Sequence, residues 1–517
     1  MSESRALASL GDMPAAELRA ELHRMAEWVA DYRESIAARA ISPTVAPGDV
    51  TAGLGSSMPD EPAPMAAIRA DLDAVVMPGI VHWGHPAFLG YFGSTSNGPA
   101  LLGEIAAAAL NVSAMTWRTS PAATELETVV LRWIRELVGL PTSFTGIVYD
   151  TASIGVLHAL AAAREQVAPG VRGRGIAGRD DVPVLRVYAS EQAHSSLEKA
   201  MIVLGLGEEN AVRVRTDDRF RLDVESLREA IADDRRRGYR PLAVIATVGT
   251  TSSASVDPVP AIMDLCERER IWLHVDAAYG GAMAVLPEGR VVMDGVERAD
   301  SVVINPHKWL FVPLDFSALY TRHPESLRAV FALTPEYLRG DAAGEDGGAA
   351  IDYMDYGIQL GRRFRALKAW MVLRAFGRSG IESRLREHVR LAGVLAAMVE
   401  GEPGFALVVR PSMSVVCFHY RGAGADDATN DWLNEAIVEA VNRSGVAYLT
   451  YTRLRGRLVM RVGFGNVLTT EEHVRTLWAT VVESSNLLVQ SLPRPRPCPI
   501  AGPNDSGSSA MGKARAT

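Results

Sequence analysis

The sequence predicts an α/β protein built on a large, mostly parallel sheet, with a helical segment before the sheet and a smaller α+β unit after it. Between residues 146 and 321, short runs of apolar and β-branched residues alternate with longer amphipathic stretches, as in a parallel sheet covered by helices on both faces. Beyond residue 376 the pattern changes to strand runs at 413–420 and 457–464 and a final helix.

Residues 1–97 predict a helical segment and a connector without a core of their own. Within 13–39, helical periodicity puts Leu18, Leu22, Val29 and Tyr32 on one face. The Pro- and Gly-rich stretch 42–64 predicts an extended connector. An apolar helix face without a partner in its own segment indicates packing on another surface, such as a second subunit.

Residues 98–375 predict the large α/β domain. It begins with helical sequence at 98–139, broken near 111–120, and Ser120-Pro121 has the composition of a helix start. The strand candidates follow in the order GIVY, VLRVY, LAVIAT, IWLHV, SVVIN and FSALY. Residues 376–491 predict the small α+β domain, and 492–517, poor in large apolar residues, predict a disordered tail.

Composition excludes several classes of function. The net charge of −8 and the pI near 5.8 argue against nucleic acid or an acidic membrane surface as a partner. The cysteines, Cys266, Cys417 and Cys498, match no metal motif and form no disulfide framework, which favours a reducing cytoplasm. No signal peptide and no membrane-spanning apolar run is apparent.

Small, hydroxyl-bearing and ionisable residues follow the strand candidates. DTASIG follows GIVY, ASEQAHSS follows VLRVY, VGTTSS follows LAVIAT, DAAYGG follows IWLHV, and PHKW follows SVVIN. Because the carboxyl ends of parallel strands meet at one edge of a sheet, these residues are expected to form a site there.

The residues at this edge match the needs of pyridoxal phosphate (PLP). Lys308 offers an amine for a covalent bond with the cofactor aldehyde, and Asp276 offers a carboxylate for the pyridinium nitrogen. Thr151 and Ser153 lie where a helix start could bind the phosphate, and His194 could stack on the ring. Each residue alone has a simpler explanation: a loop lysine, a helix cap or a structural histidine. Their occurrence at one edge favours the cofactor.

Six motifs resemble the group II PLP-dependent decarboxylases, specifically the aromatic-L-amino-acid decarboxylase family. They are HWGHPAFLGYF, SPAATELETVVLRW, SEQAHSSLEKA, WLHVDAAYGG, NPHKWL and LGRRFRALK, and the resemblance runs from about residue 15 to about 488. It implies the aspartate-aminotransferase-like type I PLP fold. It also implies a homodimer with the active site at the subunit interface, across which the N-terminal helical segment packs.

The resemblance also implies residue roles. Lys308 would bind PLP covalently, Asp276 would pair with the pyridinium nitrogen, and His194 would stack on the ring. Tyr337, on a mobile loop, would protonate the product carbon. The further cofactor-binding residues would be Thr151, Ala152, Ser153, Thr247, Asn305 and His307, and the substrate would meet Ser94, Trp83, Phe92, Met115, Gly361 and His194.

The implied activity is that of a carboxy-lyase. It would convert an aromatic L-amino acid of the tryptophan, phenylalanine, tyrosine or DOPA type to the amine and CO₂. Gly361 mildly favours an indolic substrate, because plant members with serine at that position tend toward phenolic ones. The alternatives are an aromatic aldehyde synthase, a decarboxylase of a non-aromatic amino acid, and an inactive scaffold. The presence of Tyr337 and His194 makes an aldehyde synthase the weaker alternative. The presence of Lys308, Asp276 and His194 argues against an inactive scaffold.

Overall fold

The computed structural model describes residues 12–93, 95–333, 351–422 and 425–491. The N-terminal segment forms helices α1 (Ala15–Ser35), α2 (Asp49–Leu54) and α3 (Met65–Asp71). Helix α1 has the predicted position, and none of its residues is buried. The prediction of an extended connector was wrong at α2, where Asp49 Oδ2 accepts the Ala46 N–H at 2.7 Å and stabilises the helix start locally.

The large sheet has seven strands in the spatial order β1-β7-β6-β5-β4-β2-β3. They are β1 (Thr145–Tyr149), β2 (Leu185–Ser190), β3 (Ala211–Val214), β4 (Arg240–Thr247), β5 (Trp272–Asp276), β6 (Ser301–Ile304) and β7 (Ser317–Thr321). All run parallel except β7, which is antiparallel to both of its neighbours. The link between β6 and β7 holds only one turn of helix, too short for the usual crossover between parallel strands.

Helices pack around this sheet. They are α4 (Gly98–Leu110), α5 (Pro121–Val138), α6 (Ala152–Val167), α7 (Val171–Arg174), α8 (Ser196–Val203), α9 (Val224–Arg236), α10 (Val259–Glu269), α11 (Pro306–Trp309) and α12 (Pro324–Phe331). The predicted break near 111–120 is present, and Ser120 Oγ caps α5 by accepting the Ala123 N–H. Helix α6 crosses the sheet, and its position brings its N-terminus to the carboxyl ends of the strands.

The C-terminal part has its own sheet and core. Helix α13 (Arg365–Gly401) is interrupted at Gly377, whose φ of 61° breaks the helical path. Strands β8 (Phe405–Val409), β9 (Val415–Tyr420), β10 (Thr450–Leu454) and β11 (Arg457–Gly463) form an antiparallel sheet, and α14 (Asp427–Ser444) and α15 (Glu471–Ser491) cover it. Phe88 and Leu89 of the N-terminal segment pack into this second core. The domain limits therefore stay a prediction.

None of the helices in the described ranges is long and apolar enough to cross a lipid bilayer. The predicted disordered tail, 492–517, lies outside the described residues, as do Ser94 and Tyr337.

Candidate active site

Lys308 lies on α11, directly after the fully buried strand β6. Its N–H donates to the Asn305 carbonyl at 2.9 Å, and its Nζ lies 4.8 Å from the centroid of the Phe92 ring. Burial lowers the pKa of Lys308, Asp276 opposes that effect, and Arg461 adds to it. A lowered pKa increases the share of neutral amine, which is the form that attacks a carbonyl.

Asp276 and Thr247 end neighbouring strands and are register partners. Asp276 is buried, and its Oδ1 accepts the Ala278 N–H at 3.1 Å. The Thr247 N–H donates to Asp257 Oδ2 at 2.8 Å, whereas the buried Thr247 Oγ1 has no hydrogen-bond partner among the described residues. A buried hydroxyl without a partner is costly, and a bound ligand at the strand ends would satisfy it.

The N-terminus of α6 has the properties of an anion site. Thr151 occupies the cap position, but its side chain makes no capping hydrogen bond, so the first amides of the helix, at Ala152 and Ser153, keep their donors. Gly155, the fourth residue of α6, lies so close to β6 that a Cβ there would come within 2.9 Å of Val303 Cγ2. Because Val303 pairs with Asp276, this close packing holds the helix start near the strand ends.

Asn305 and His307 fix the turn that carries Lys308. Asn305 Oδ1 accepts from Ser317 Oγ at 2.6 Å, and His307 Nδ1 accepts the Phe316 N–H at 3.0 Å. Burial lowers the pKa of His307 to about 3, so the ring is neutral and carries its proton on Nε2. In the described chain, both residues therefore hold the lysine turn in place.

His194 interacts electrostatically with Asp276 and Lys308 in the same site. Burial lowers the pKa of His194, Asp276 raises it, and Lys308 lowers it further. The residue nevertheless keeps substantial accessible surface in this chain. His194 Nδ1 accepts the Ser196 N–H at 3.1 Å, which places the proton of the neutral ring on Nε2.

Arg461, which the sequence analysis missed, lies in this site. Its Cζ lies 4.6 Å from the centroid of the Phe92 ring. Nη1 donates to the Tyr91 carbonyl at 2.7 Å and Nε to the Thr251 carbonyl at 3.0 Å, whereas the buried Nη2 has no partner among the described residues. An arginine within the apolar strand run RLVMRVGF was the available signal, because a charge on the buried face of a strand needs a partner.

The predicted substrate residues divide into two groups. Phe92 lies under the amine of Lys308, as described. Trp83 stacks instead on Phe88, with centroids 4.8 Å apart, and Met115 accepts the Met354 N–H through its carbonyl. Within the described ranges, no hydrogen bond, ion pair or ring contact joins Lys308 to Trp83, Met115 or Gly361.

The site thus combines a nucleophilic amine, a buried carboxylate, an uncapped helix N-terminus and an aromatic platform at one edge of a parallel sheet. Thr247 Oγ1 and Arg461 Nη2 are buried, have no partner among the described residues, and could each form a hydrogen bond with a polar ligand. This donor set fits PLP, which needs a lysine for its aldehyde, a carboxylate for its ring nitrogen and amides for its phosphate.

Comparison with known proteins gives the same assignment. The profile of the pyridoxal-dependent decarboxylase conserved domain matches residues 47–421. Phenylacetaldehyde synthase from Arabidopsis thaliana is 37% identical over 488 residues, covering 93% of this chain and 98% of that protein. Tryptophan decarboxylase 1 from Oryza sativa subsp. japonica is 38% identical over 488 residues, covering 91% and 94%. The crystal structure of Oryza sativa TDC with PLP and tryptamine superposes with a TM-score of 0.88 at 36% identity, covering 93% of this chain and 99% of that one.

Proposed function

The chain belongs to the pyridoxal-dependent decarboxylase family, and we propose that it converts an aromatic L-amino acid to the corresponding amine and CO₂ with PLP as cofactor. The resemblance found in the sequence motifs and the type I PLP fold are both confirmed by these similarities. The observation that carries the proposal is the amine of Lys308, held at a strand end beside Asp276 with its pKa lowered by burial.

The side chains of this chain prepare the reaction. Lys308 would hold the cofactor through its aldehyde, and Asp276 would keep a proton on the ring nitrogen. The amides of Ala152 and Ser153, at the start of α6, would bind the phosphate, with Thr151 nearby. The chemistry that PLP would supply there is an electron-accepting ring for the loss of CO₂ from the substrate.

His194 and Arg461 face the same space with polar N–H groups. The neutral His194 ring carries its proton on Nε2, which can donate to an oxygen of the cofactor or the substrate while the ring stacks. Arg461 Nη2 offers a second donor to an anionic group. Tyr337 keeps its proposed role as the acid that protonates the product carbon, and Ser94 its proposed place near the substrate, although both lie outside the described residues.

The similarity to both a decarboxylase and an aldehyde synthase leaves two candidate reactions on an aromatic substrate. We favour the amine as product, since the presence of both Tyr337 and His194 argues against an aldehyde synthase. An aldehyde synthase is the second candidate, and the similarity to phenylacetaldehyde synthase supports it. For the substrate, Gly361 and the similarity to tryptophan decarboxylase 1 support an indolic side chain, with Trp83 and Met115 as further pocket residues.

We also propose that the working unit is a homodimer in the cytoplasm. In α1, Leu18 and Leu22 are 44% and 51% exposed, and in α4, Leu102 and Ile105 are 63% and 56% exposed. Large apolar side chains that are exposed on a helix surface are typical of a subunit interface. A second copy would cover them, and sedimentation equilibrium would test this directly. The two described cysteines, Cys266 and Cys417, are free and buried, in keeping with a reducing compartment.

The function is tested by identifying products in air. PLP-loaded protein would be incubated separately with L-tryptophan, L-phenylalanine, L-tyrosine, L-DOPA, L-histidine and L-glutamate, and the products identified by mass spectrometry. We expect an aromatic amine without the matching aldehyde. Aldehyde with hydrogen peroxide would select the second candidate, and product from L-glutamate or L-histidine alone would contradict an aromatic substrate.

A further inference from the structure

Three aromatic rings form a stack that ends under the amine of Lys308. Trp309, the residue after Lys308, stacks on Tyr279 with ring centroids 5.0 Å apart and an interplanar angle of 15°. Tyr279 in turn stacks on Phe92, with centroids 4.0 Å apart. The Nζ of Lys308 lies 4.8 Å from the Phe92 centroid, so the stack connects the residue after the lysine to the surface beneath its amine.

Two rings of the stack are hydrogen-bonded to the C-terminal part of the chain. Trp309 Nε1 donates to His388 Nδ1 at 3.0 Å, and Tyr279 Oη lies 2.5 Å from Ser414 Oγ. Because the single proton of Ser414 Oγ goes to the Phe464 carbonyl at 2.6 Å, Tyr279 must be the donor to Ser414. Both anchors lie beyond the break at Gly377, on the side of the second sheet.

His388 links the stack to a third region. Its Nδ1 accepts from Trp309, so its proton lies on Nε2, which donates to the Asn466 carbonyl at 3.0 Å. Asn466 Nδ2 donates to the carbonyls of Gly84 and His85 in the N-terminal segment, at 3.0 and 2.9 Å. His388 is buried, and a protonated ring would present two donors facing each other at Trp309, so only the neutral tautomer fits.

We infer that His388 is a positioning residue for Lys308: by holding the Trp309 indole, it fixes the aromatic stack on which the reactive amine lies. Trp309 shares the turn of α11 with Lys308, so a displaced indole moves both the backbone of the lysine and the platform beneath its Nζ. The bond between His388 and Trp309 thereby couples the C-terminal sheet to the amine. This inference rests on the proposed role of Lys308 as the cofactor lysine.

The variants separate a positioning role from simple packing. His388→Leu keeps the volume and removes both hydrogen bonds, whereas His388→Gln keeps one acceptor and one donor. Trp309→Phe keeps a six-membered ring in the stack but removes the indole N–H together with part of the ring volume. His158→Leu is the matched control, because His158 is equally buried, packs on Tyr149 and Phe331 outside the stack, and has no partner for either ring nitrogen among the described residues.

Two quantities would be measured: the rate at which apo-protein captures added PLP, followed by visible absorbance, and the kcat and KM of the holoenzyme. We expect His388→Leu to slow PLP capture and lower kcat by about 10-fold or more, since small misplacements of a reacting group are costly. KM should change less than about threefold, because neither His388 nor Trp309 is among the residues proposed to contact the substrate. His388→Gln should recover most of both rates, and His158→Leu should match the wild type.

A folded His388→Leu with wild-type capture and kcat would overturn the inference, and so would a Gln variant as impaired as Leu. If His388→Leu fails to fold, Trp309→Phe decides: slowed PLP capture supports the inference, and wild-type rates refute it. Borohydride reduction of the PLP-loaded wild type, followed by peptide mass spectrometry, separates the two levels of the argument. If the label is absent from Lys308, the proposed function fails and the inference with it; if the label is on Lys308, a silent His388→Leu overturns the inference alone.

Discussion

Two lysines of this protein, the partly buried Lys308 and the buried Lys368, have different surroundings. Burial lowers the pKa of both. Lys368 Nζ donates to Glu104 Oε1 at 2.5 Å and to the Leu314 carbonyl at 3.0 Å, so its charge is neutralised by a fixed partner. Among the described residues, Lys308 Nζ makes no ion pair or hydrogen bond and lies over the Phe92 ring, with Asp276 and Arg461 as opposing charges.

The difference shows that burial alone does not make a lysine reactive. A paired ammonium such as Lys368 keeps its proton and stabilises the structure, whereas an amine without a fixed partner loses its proton more readily and can attack a carbonyl. The reaction proposed for Lys308, rather than packing, would therefore explain why a lysine lies between strand β6 and the apolar residues Trp309 and Leu310.

Exchanging each lysine is the strongest test of this comparison. Lys308→Ala should lower decarboxylation by more than about 10³-fold, because no other amine can hold the cofactor in that geometry. Lys368→Met should instead lower the free energy of unfolding by about 1–3 kcal/mol, less than for a fully buried pair because Glu104 is partly exposed, and should keep PLP on Lys308. Urea unfolding and steady-state kinetics would measure both. Near-normal turnover by Lys308→Ala would show that the reaction does not require the amine of Lys308.

Asp276→Asn should give the next largest effect. The substitution removes the charge that raises the pKa of Lys308 and the carboxylate proposed for the ring nitrogen, so kcat should fall by about 10²-fold or more. Asp234→Asn is the control, since Asp234 is also buried but binds Arg186 and Tyr188 away from the site. If kcat is insensitive to Asp276→Asn, the carboxylate has no role in the chemistry.

Acid should damage the Lys308 region as well as the fold. Burial lowers the pKa of several described histidines, to about 3 for His158 and His307 and to about 4 for His274, His388 and His419. The unfolded chain takes up these protons near pH ~6.5, so their contribution to stability is complete above that pH and is lost as the pH falls toward about 4. Asp257 acts in the opposite direction on stability. Burial raises its pKa to about 6, so the folded state takes up this one proton at a higher pH than the unfolded chain does.

We therefore expect Tm to fall by about 5 °C between pH 7 and pH 5, with release of PLP, because His307 lies in the turn of Lys308. Differential scanning calorimetry and cofactor absorbance at a series of pH values would measure this. His307→Asn should flatten the loss of absorbance, whereas a Tm that is constant over this range would contradict the burial of these rings in neutral form.

Gly361→Ser should have the smallest effect. A Cβ at Gly361 would meet nothing within 4 Å, so Tm should stay within about 1 °C of the wild type. If Gly361 lines the substrate pocket across a subunit interface, the ratio of kcat/KM for L-tryptophan to that for L-tyrosine should fall by about 3- to 10-fold. An unchanged ratio would remove Gly361 from the pocket.

The strand ends that carry the candidate site residues could be predicted from local sequence pattern. Lys308, Asp276 and His194 each follow an apolar strand, and the strand order of a parallel sheet brings such ends together. The missed strand β3 has only four residues, one of which, Arg213, is exposed, so its apolar signal is weak. Strand β7 is antiparallel because the link between β6 and β7 is too short for a crossover. The composition of the β7 sequence does not reveal the direction of the strand.

Long-range contacts account for the rest of what the sequence did not predict. Arg461 and His388 reach the Lys308 region only because the C-terminal sheet packs against the strand ends, and no local pattern relates either residue to Lys308. Met115 and Gly361 were proposed from resemblance. They approach each other through the hydrogen bond from the Ala114 N–H to the Arg362 carbonyl, at 2.8 Å, and their role stays a prediction.

The most direct test of the central claim is to locate the cofactor on the chain. PLP-loaded wild-type protein would be reduced with borohydride and digested, and the pyridoxyl-bearing peptides identified by mass spectrometry. We predict a label on the peptide with Lys308 and none on the peptide with Lys368. A label on Lys368, or on neither lysine, would contradict the account.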